Sequence, residues 1–136
     1  MSNPDHADAH YNRGVALGEL GRPAEALASY ERAIALRSDH AQAYNNRGIA
    51  LGHLRRHAQA LGSYERAIAL EPGYANAYNN RGNVLRDLGR LPEALASFER
   101  AIALRPDYAE ACNNRGIVLS DLERHAEALD SFERAV

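Results

Sequence analysis

The feature that most limits how this chain can fold is a repeat of 34 residues. The tripeptide Asn-Arg-Gly returns at this spacing, beginning at residues 12, 46, 80 and 114. A second motif, Ser-aromatic-Glu-Arg-Ala, returns at residues 29–33, 63–67, 97–101 and 131–135. A fixed period of this length indicates one supersecondary unit stacked on copies of itself, so that each copy is stabilised mainly by its neighbours.

Hydrophobic periodicity within one repeat predicts two helices joined by a tight turn. Residues of the first helix that fall on one side at helical spacing form a packing face: His10, Gly14, Leu17 and Leu20. Gly21 suits the residue that follows a helix, and Pro23 suits the first turn of the next one. We therefore expect Gly21-Arg22-Pro23 to form the turn of a helical hairpin.

The second helix of the repeat, over about residues 24–37, has its own packing stripe. That stripe consists of Ala26, Leu27, Tyr30, Ala33 and Ile34, and it leaves Ser29 outside. Two pairs resemble capping boxes at the start of the first helices of repeats two and four, namely Asp39 with Gln42 and Asp107 with Glu110.

The repeated positions resemble those of the tetratricopeptide repeat, whose period is also 34 residues. Counted from residues 7, 41, 75 and 109, position 8 is always Gly, position 20 Ala, position 24 Tyr or Phe, and position 27 Ala. Proline stands at position 32 as Pro72 and Pro106, whereas Ser38 replaces it in the first repeat. Position 7, usually apolar in the family, is always Arg.

This resemblance implies an all-α fold, a right-handed superhelical solenoid of four tetratricopeptide hairpins with the last one truncated. The expected organisation is an N-terminal lead over residues 1–6 and a repeat domain over residues 7–136. The repeats span residues 7–40, 41–74, 75–108 and an incomplete 109–136.

The charge pattern argues against nucleic acid as a partner. The formal net charge is −2, and the 16 basic residues are all Arg and scattered along the chain. The absence of Lys beside so many Arg residues is typical of a GC-rich bacterial gene. No apolar run approaches membrane-spanning length, and residues 1–10 lack the apolar segment of a signal peptide. We therefore expect a cytoplasmic protein with neither membrane nor nucleic acid as its partner.

Neither catalysis nor a cofactor is expected. A catalytic constellation is ordinarily unique within a chain, whereas Ser29 and its equivalents recur with the repeat. His53 and His57 have the i, i+4 spacing of a metal-binding pair, but the predicted hairpin turn separates them. The single cysteine, Cys112, excludes an intrachain disulfide framework and a cysteine-rich zinc site. The sequence thus favours a protein that is not an enzyme and holds no metal.

In tetratricopeptide arrays the first helices line the concave surface of the superhelix. The resemblance therefore implies a groove formed by positions 2, 5, 6, 9, 12 and 13 of each repeat, hereafter the groove positions. The predicted peptide-binding residues among them are Asn12, Asn45, Asn46, Asn76, Asn79, Asn80, Asn83, Arg86, Asn113 and Asn114. An uncharged amide offers two donors and an acceptor, which suits the N–H and C=O groups of an extended peptide.

Asparagine at position 6 of every repeat would form a ladder along this groove. The ladder is similar to that of O-linked N-acetylglucosamine transferase-like proteins, where Asn at this position holds substrate peptide. An alternative interpretation is that these amides bond neighbouring helices. By contrast, the carboxylate clamp of chaperone-binding family members needs Lys and Arg on this surface, and of its pattern only Asn46 is present.

The arginines at position 7 allow two interpretations. Arg13, Arg47, Arg81 and Arg115 would form a row of anion sites, or their stems would cover the packed helices while their heads reach carboxylates such as Glu31. The second interpretation is favoured because a row of charges at a repeat interface usually needs pairing.

These features predict a non-catalytic scaffold that binds an extended peptide segment of another protein. Two alternatives stay open: the substrate-recognition arm of a larger bacterial glycosyltransferase-type enzyme, and a self-assembly module. The latter depends on the last repeat, which keeps Leu129 and Phe132 in the interior pattern and stops at Val136 without a capping helix. Such an end predicts either a fragment of a longer array or a homo-oligomer formed through terminal repeats.

Overall fold

A computed structural model describes residues 4–122, which form seven α-helices and contain no β-strand. The helices are α1 (Pro4–Glu19), α2 (Pro23–Leu36), α3 (Ala41–His53), α4 (His57–Leu70), α5 (Ala75–Asp87), α6 (Leu91–Leu104) and α7 (Ala109–Asp121). The predicted all-α fold of helical hairpins is confirmed. Leu129 and Phe132, on which the predicted association depends, lie outside the described residues.

The chain divides into two compact units. Unit 1, Met1–Pro72, contains α1 to α4, and unit 2, Gly73–Val136, contains α5 to α7 in its described part. Within unit 1, α1 packs on α2, α2 on α3, and α3 on α4, with a smaller contact between α1 and α3. Unit 2 repeats this arrangement, because α5 packs on α6, α6 on α7, and α5 touches α7.

The hairpin turns lie where the glycine and proline pattern predicts them. Gly21 and Gly89 adopt the left-handed conformation, with φ of 74° and 76°, and Pro23 and Pro92 lie in the first turns of α2 and α6. The second repeat places Arg55 at the same position with φ of 61°. This turn therefore requires a left-handed residue even where the sequence supplies no glycine.

The predicted capping boxes are wrong, because each helix begins one residue later than they require. The residue before α3 is His40, whose Nδ1 accepts a long hydrogen bond of 3.4 Å from the backbone N–H of Ala43. His40 is buried, whereas Asp39 is exposed and its carboxylate lies 3.5 Å from Arg37 Nε. Tyr108 precedes α7 and makes no side-chain cap.

A contact between glycine and an aromatic ring sets the approach of the two helices in each hairpin. A Cβ atom added to Gly14 would lie 2.5 Å from Cε1 of Tyr30, and one added to Gly82 would lie 2.5 Å from Cε1 of Phe98. The corresponding distance between Gly48 and its ring is 2.6 Å. The rings thus occupy the space of the missing side chains, and the first helices cannot rotate without losing this contact.

A second contact at the same sequence separation of 16 joins the two repeated motifs. The Nη1 atoms of Arg13, Arg47 and Arg81 donate to the hydroxyl oxygens of Ser29, Ser63 and Ser97 at 2.9, 2.6 and 2.7 Å. These serines are buried. The prediction that Ser29 lies outside the packing stripe is therefore wrong, because the arginine brings a donor into the hairpin and allows the hydroxyl to be buried.

Candidate functional site

The Arg–Ser contacts decide between the two interpretations of position 7 in the first three repeats. Each guanidinium is tied to its own hairpin, and Arg47 also reaches Glu31, with 3.2 Å between Nη2 and Oε2. This geometry supports a structural role, although the first partner is a serine that the sequence reasoning missed. The fixed separation of 16 residues between the two motifs was the signal that could have revealed it.

The predicted amides divide into three groups by their exposure. Asn45, Asn79 and Asn114 are buried, with 5, 1 and 8% of their surface exposed. Those that are partly accessible are Asn46, Asn80 and Asn83, together with Arg86. Those that are exposed are Asn12, Asn76 and Asn113. The buried group lies in the interior of the units, so in this structure only the other two groups present side chains to a ligand.

In unit 1, an asparagine and a tyrosine join the first helices. Asn46 Nδ2 on α3 donates to the hydroxyl of Tyr11 on α1 at 3.1 Å. The Tyr11 ring lies 4.7 Å from the His40 ring and 6.0 Å from the Tyr30 ring, measured between centroids. Burial raises the pKa of Tyr30, an effect reinforced by Tyr11 and opposed by a hydrogen bond with Asn46. Asn46 therefore links two phenol groups at this junction.

In unit 2, amides and a carboxylate join the first helices. Asn114 Nδ2 on α7 donates to Asn79 Oδ1 on α5 at 3.2 Å, and Asn79 Nδ2 donates to Glu110 Oε1 at 3.3 Å. Burial, followed by Glu110, raises the pKa of Tyr108, whereas Arg105 and a hydrogen bond with Asn79 lower it. These bonds satisfy the polar atoms of a nearly inaccessible asparagine, as burial of an amide requires.

A pocket of about 470 Å³ opens between α1, α3 and the start of α2 in unit 1. Six residues at groove positions line it: Val15, Gly18, Glu19, Asn46, Ile49 and His53. Pro23, Ala26 and Tyr30 of α2 complete its wall. The structure thus brings predicted groove positions together, but in unit 1 their surface is mostly apolar, and only one of the predicted amides, Asn46, contributes to it.

Unit 2 differs from unit 1 at the equivalent of the pocket residue Gly18. That position, the twelfth of the repeat, holds Arg86 in the third repeat. The Arg86 side chain is half-buried, and its Nη1 atom is inaccessible and has no hydrogen-bond partner among the described residues.

Sequence models of the tetratricopeptide repeat match residues 7–40, 39–107 and 73–136. The chain belongs to the tetratricopeptide repeat family. This assignment agrees with the helical hairpins of both units and with the glycine and aromatic contacts that hold them. No relative among the curated protein sequences matches the chain.

Several solved tetratricopeptide structures resemble the chain over most of its length. A crystal structure of MamA is 26% identical with a TM-score of 0.92, and the match covers 98% of this chain and 78% of that one. The first tetratricopeptide domain of Spaghetti (RPAP3), bound to the HSP90 peptide SRMEEVD, is 26% identical with a TM-score of 0.87, covering 89% and 96%. The second domain of human RPAP3, in complex with the HSP70 peptide SGPTIEEVD, is 27% identical with a TM-score of 0.82, covering 85% and 98%.

Within the described part of this tetratricopeptide chain, the potential metal ligands do not come together. His53 ends α3 and His57 begins α4, so the two histidines do not share a helical face. Among residues 4–122 no three His, Cys, Asp or Glu side chains are grouped so that they could hold a metal. Within the same residues, no helix has the length and apolar character needed to cross a membrane.

Proposed function

We propose that this chain is a non-catalytic tetratricopeptide scaffold that binds an extended peptide segment of another protein. The binding surface consists of the accessible groove positions of the first helices. Support comes from the similarity to the two RPAP3 domains, each of which was solved with a peptide bound. It also comes from the accessible amides of the first helices.

The observation that carries the proposal is that three of the predicted amides are uncommitted. Asn12 and Asn113 are exposed, Asn83 is half-buried, and none of the three bonds to another described residue. An amide in water carries no desolvation penalty, and each of these amides can exchange its bound water for the N–H or C=O of a peptide. The exposed apolar side chains of Ile49 and Ile117 lie at groove positions as well and offer contacts for peptide side chains.

The charge of the groove positions favours a neutral or basic peptide over an acidic one. The described Asp, Glu, His and Arg residues at these positions are Asp8, Glu19, His53, Arg86, Asp87, Glu110 and Asp121. Five of the seven are acids and one is an arginine. The peptides bound by the RPAP3 domains both end in the acidic sequence EEVD. We expect this chain to bind such peptides poorly, because acids facing acids in a groove repel each other.

A peptide screen followed by mutation tests the proposal. The complete chain is screened against a library of short unstructured peptides, and the affinity of the best binder is measured by fluorescence anisotropy. Replacing Asn83 and Asn113 together by Ala should weaken binding roughly ten-fold, since each lost neutral hydrogen bond is worth about 0.5–1.5 kcal/mol.

Gln59→Ala provides the matched control, because Gln59 is exposed on the second helix of its hairpin. Its affinity should equal that of the parent. An unchanged affinity in the asparagine double variant would contradict the amide contacts, and tight binding of SRMEEVD would contradict the expected preference for neutral or basic peptides. If no peptide in the library bound, the scaffold proposal itself would be rejected.

A further inference from the structure

The pocket of unit 1 combines apolar walls with a carboxylate that has no counter-ion among the described residues. Val15, Pro23 and Ile49 supply apolar surface, and Glu19 lies at the same opening. Glu19 forms no ion pair with any described residue. The other polar side chains that line the pocket are Tyr30, Asn46 and His53. The Tyr30 hydroxyl, the neutral His53 ring and the Asn46 amide oxygen, which takes only a long 3.4 Å bond from Asn45 Nδ2, can each accept a hydrogen bond. A ligand that fills this pocket therefore needs an apolar stem and a donating, positively charged end.

Unit 2 supplies such a group from its own sequence. Its equivalent of Gly18 is Arg86, which is followed by Asp87 where unit 1 has Glu19. The Arg86 side chain is half-buried, so a guanidinium at this position is compatible with the fold of a repeat. In unit 1 the glycine leaves this space open: a Cβ atom on Gly18 would meet only the Tyr30 hydroxyl, at 3.9 Å.

From this difference, and on the basis of the proposed scaffold function, we infer that the unit 1 pocket binds an arginine side chain of the partner peptide. The aliphatic stem lies against Val15 and Ile49, and the guanidinium pairs with the Glu19 carboxylate. Arginine suits this pocket better than lysine because its planar head is more weakly hydrated and offers five donors in a fixed arrangement. A charge-assisted bond to Glu19 selects it over a purely apolar side chain.

Titration of the isotope-labelled complete chain with Nα-acetyl-arginine methylamide, followed by amide NMR shifts, tests the inference. Saturable shifts are expected at Gly18, Glu19 and Ile49. Nα-acetyl-citrulline methylamide has nearly the same shape without the charge, and its affinity should be lower by at least about ten-fold. Equal affinity for the two probes, or no saturable shift with the arginine probe, would overturn the inference.

Two variants of the pocket and one matched control extend the test. Glu19→Gln should weaken binding of the arginine probe to the level of citrulline, and Gly18→Arg should abolish it by placing the chain's own guanidinium in the pocket. Glu71→Gln makes the same carboxylate-to-amide change at an exposed residue of unit 1 that lies outside the groove positions and the pocket, and it should leave the affinity unchanged. A dispersed spectrum for each variant verifies its fold. Loss of binding in Glu71→Gln with retention in Glu19→Gln would place the probe outside the pocket and refute the inference.

The two proposals fail in different ways. A partner peptide whose affinity depends on Asn83 and Asn113 but not on Glu19 would refute the arginine pocket and leave the scaffold function intact. A peptide whose affinity depends on Glu19 but not on these amides would support the pocket and refute the amide contacts.

Discussion

In unit 1 the first helices meet through a phenol, whereas in unit 2 they meet through amides. The bond from Asn46 to Tyr11 and the bond from Asn114 to Asn79 connect the same two positions of successive repeats, 35 residues apart. Asn79 is nearly inaccessible and also donates to Glu110, whereas Tyr11 is only half-buried. The same pair of repeat positions thus forms a dry junction in unit 2 and a partly hydrated junction in unit 1.

The contacts inside each hairpin, by contrast, are the same in both units. Glycine meets an aromatic ring in the three described hairpins, and arginine donates to serine in each of them. Residues that recur in every repeat therefore hold the two helices of a hairpin together. Residues that vary, such as Gly18 against Arg86, determine what each unit offers to a ligand.

The largest effect is expected from crowding the shared glycine contact. Gly82→Leu should lower the free energy of unfolding by about 1–3 kcal/mol or more, because even its Cβ atom would lie 2.5 Å from the Phe98 ring. Gly62→Leu is the control: Gly62 is exposed in α4, and no atom of the described residues lies within 4 Å of its missing Cβ. It should gain about 0.5–1 kcal/mol from helix propensity. Equal midpoints in chemical denaturation for both variants would contradict the role of the contact.

The two junctions should differ in how much they lose when their donor is removed. Asn114→Ala leaves the buried Asn79 Oδ1 without its donor and should cost about 1–3 kcal/mol. Asn46→Ala removes the bond to the half-buried Tyr11 hydroxyl, the bond with Tyr30 and a long 3.4 Å bond from Asn45. Tyr30 and Asn46 line the open pocket, where water can replace the lost amide, so the cost should be about 0.5–1.5 kcal/mol. Denaturant titration of both variants checks the order. A larger loss for Asn46→Ala would show that the unit 1 junction is the dry one.

At the hairpin turn the second repeat departs from the first and third, because it has Arg55 where they have glycine. Arg55→Gly should raise stability by about 0.5–1 kcal/mol, because it relieves a left-handed conformation at an exposed residue while adding some backbone entropy to the unfolded chain. Arg56→Gly is the control, since Arg56 has an ordinary φ of −95° and gains nothing. A stability gain in the control as large as that of Arg55→Gly would exclude backbone strain as the cause.

The period of the sequence was enough to predict the hairpins, since glycine, proline and aromatic residues each have a physical reason for their place in the repeat. Gly21 and Pro23 fix the turn, and Gly14 admits the Tyr30 ring. The burial of Ser29 was not predicted, because helical phase alone places a hydroxyl at the edge of the stripe. Only a long-range donor, Arg13, makes its burial favourable.

Helical phase also could not predict which amides are accessible. Positions 5 and 6 are adjacent in sequence and both point broadly away from the hairpin partner, so periodicity treats them alike. The neighbouring repeat decides the exposure of a given position: at position 5, Asn79 is buried where α7 covers it, whereas Asn113 is exposed in the described structure. The pocket of unit 1 likewise arises from three helices, and no single segment of sequence contains it.

The smallest expected effect is a pH dependence that only the unit 1 junction should show. Burial is the main cause that lowers the pKa of His40 below 6.5, and Arg37 adds to it, while Asp8 and Asp39 oppose the shift. The neutral ring is also the form whose Nδ1 accepts from Ala43. Because the folded state disfavours the protonated ring, His40 contributes its full stabilisation above pH 6.5 and loses it as the pH falls below that value and through the folded pKa.

His40→Tyr tests this contribution, because tyrosine occupies the same position in the second and third repeats as Tyr74 and Tyr108. Denaturant unfolding of the parent should give a lower free energy of unfolding below pH 6.5 than above it. The variant should lack the part of this decrease that protonation of His40 causes. His53→Tyr, a change at an exposed histidine, is the control and should keep the decrease that His40 causes in the parent's free energy of unfolding at acid pH. If the free energy of unfolding changed equally with pH in the parent and in His40→Tyr, protonation of His40 would not destabilise the fold. The ring would then gain access to water when it is charged, and the unit 1 junction would be more open than the contact between Tyr11 and His40 indicates.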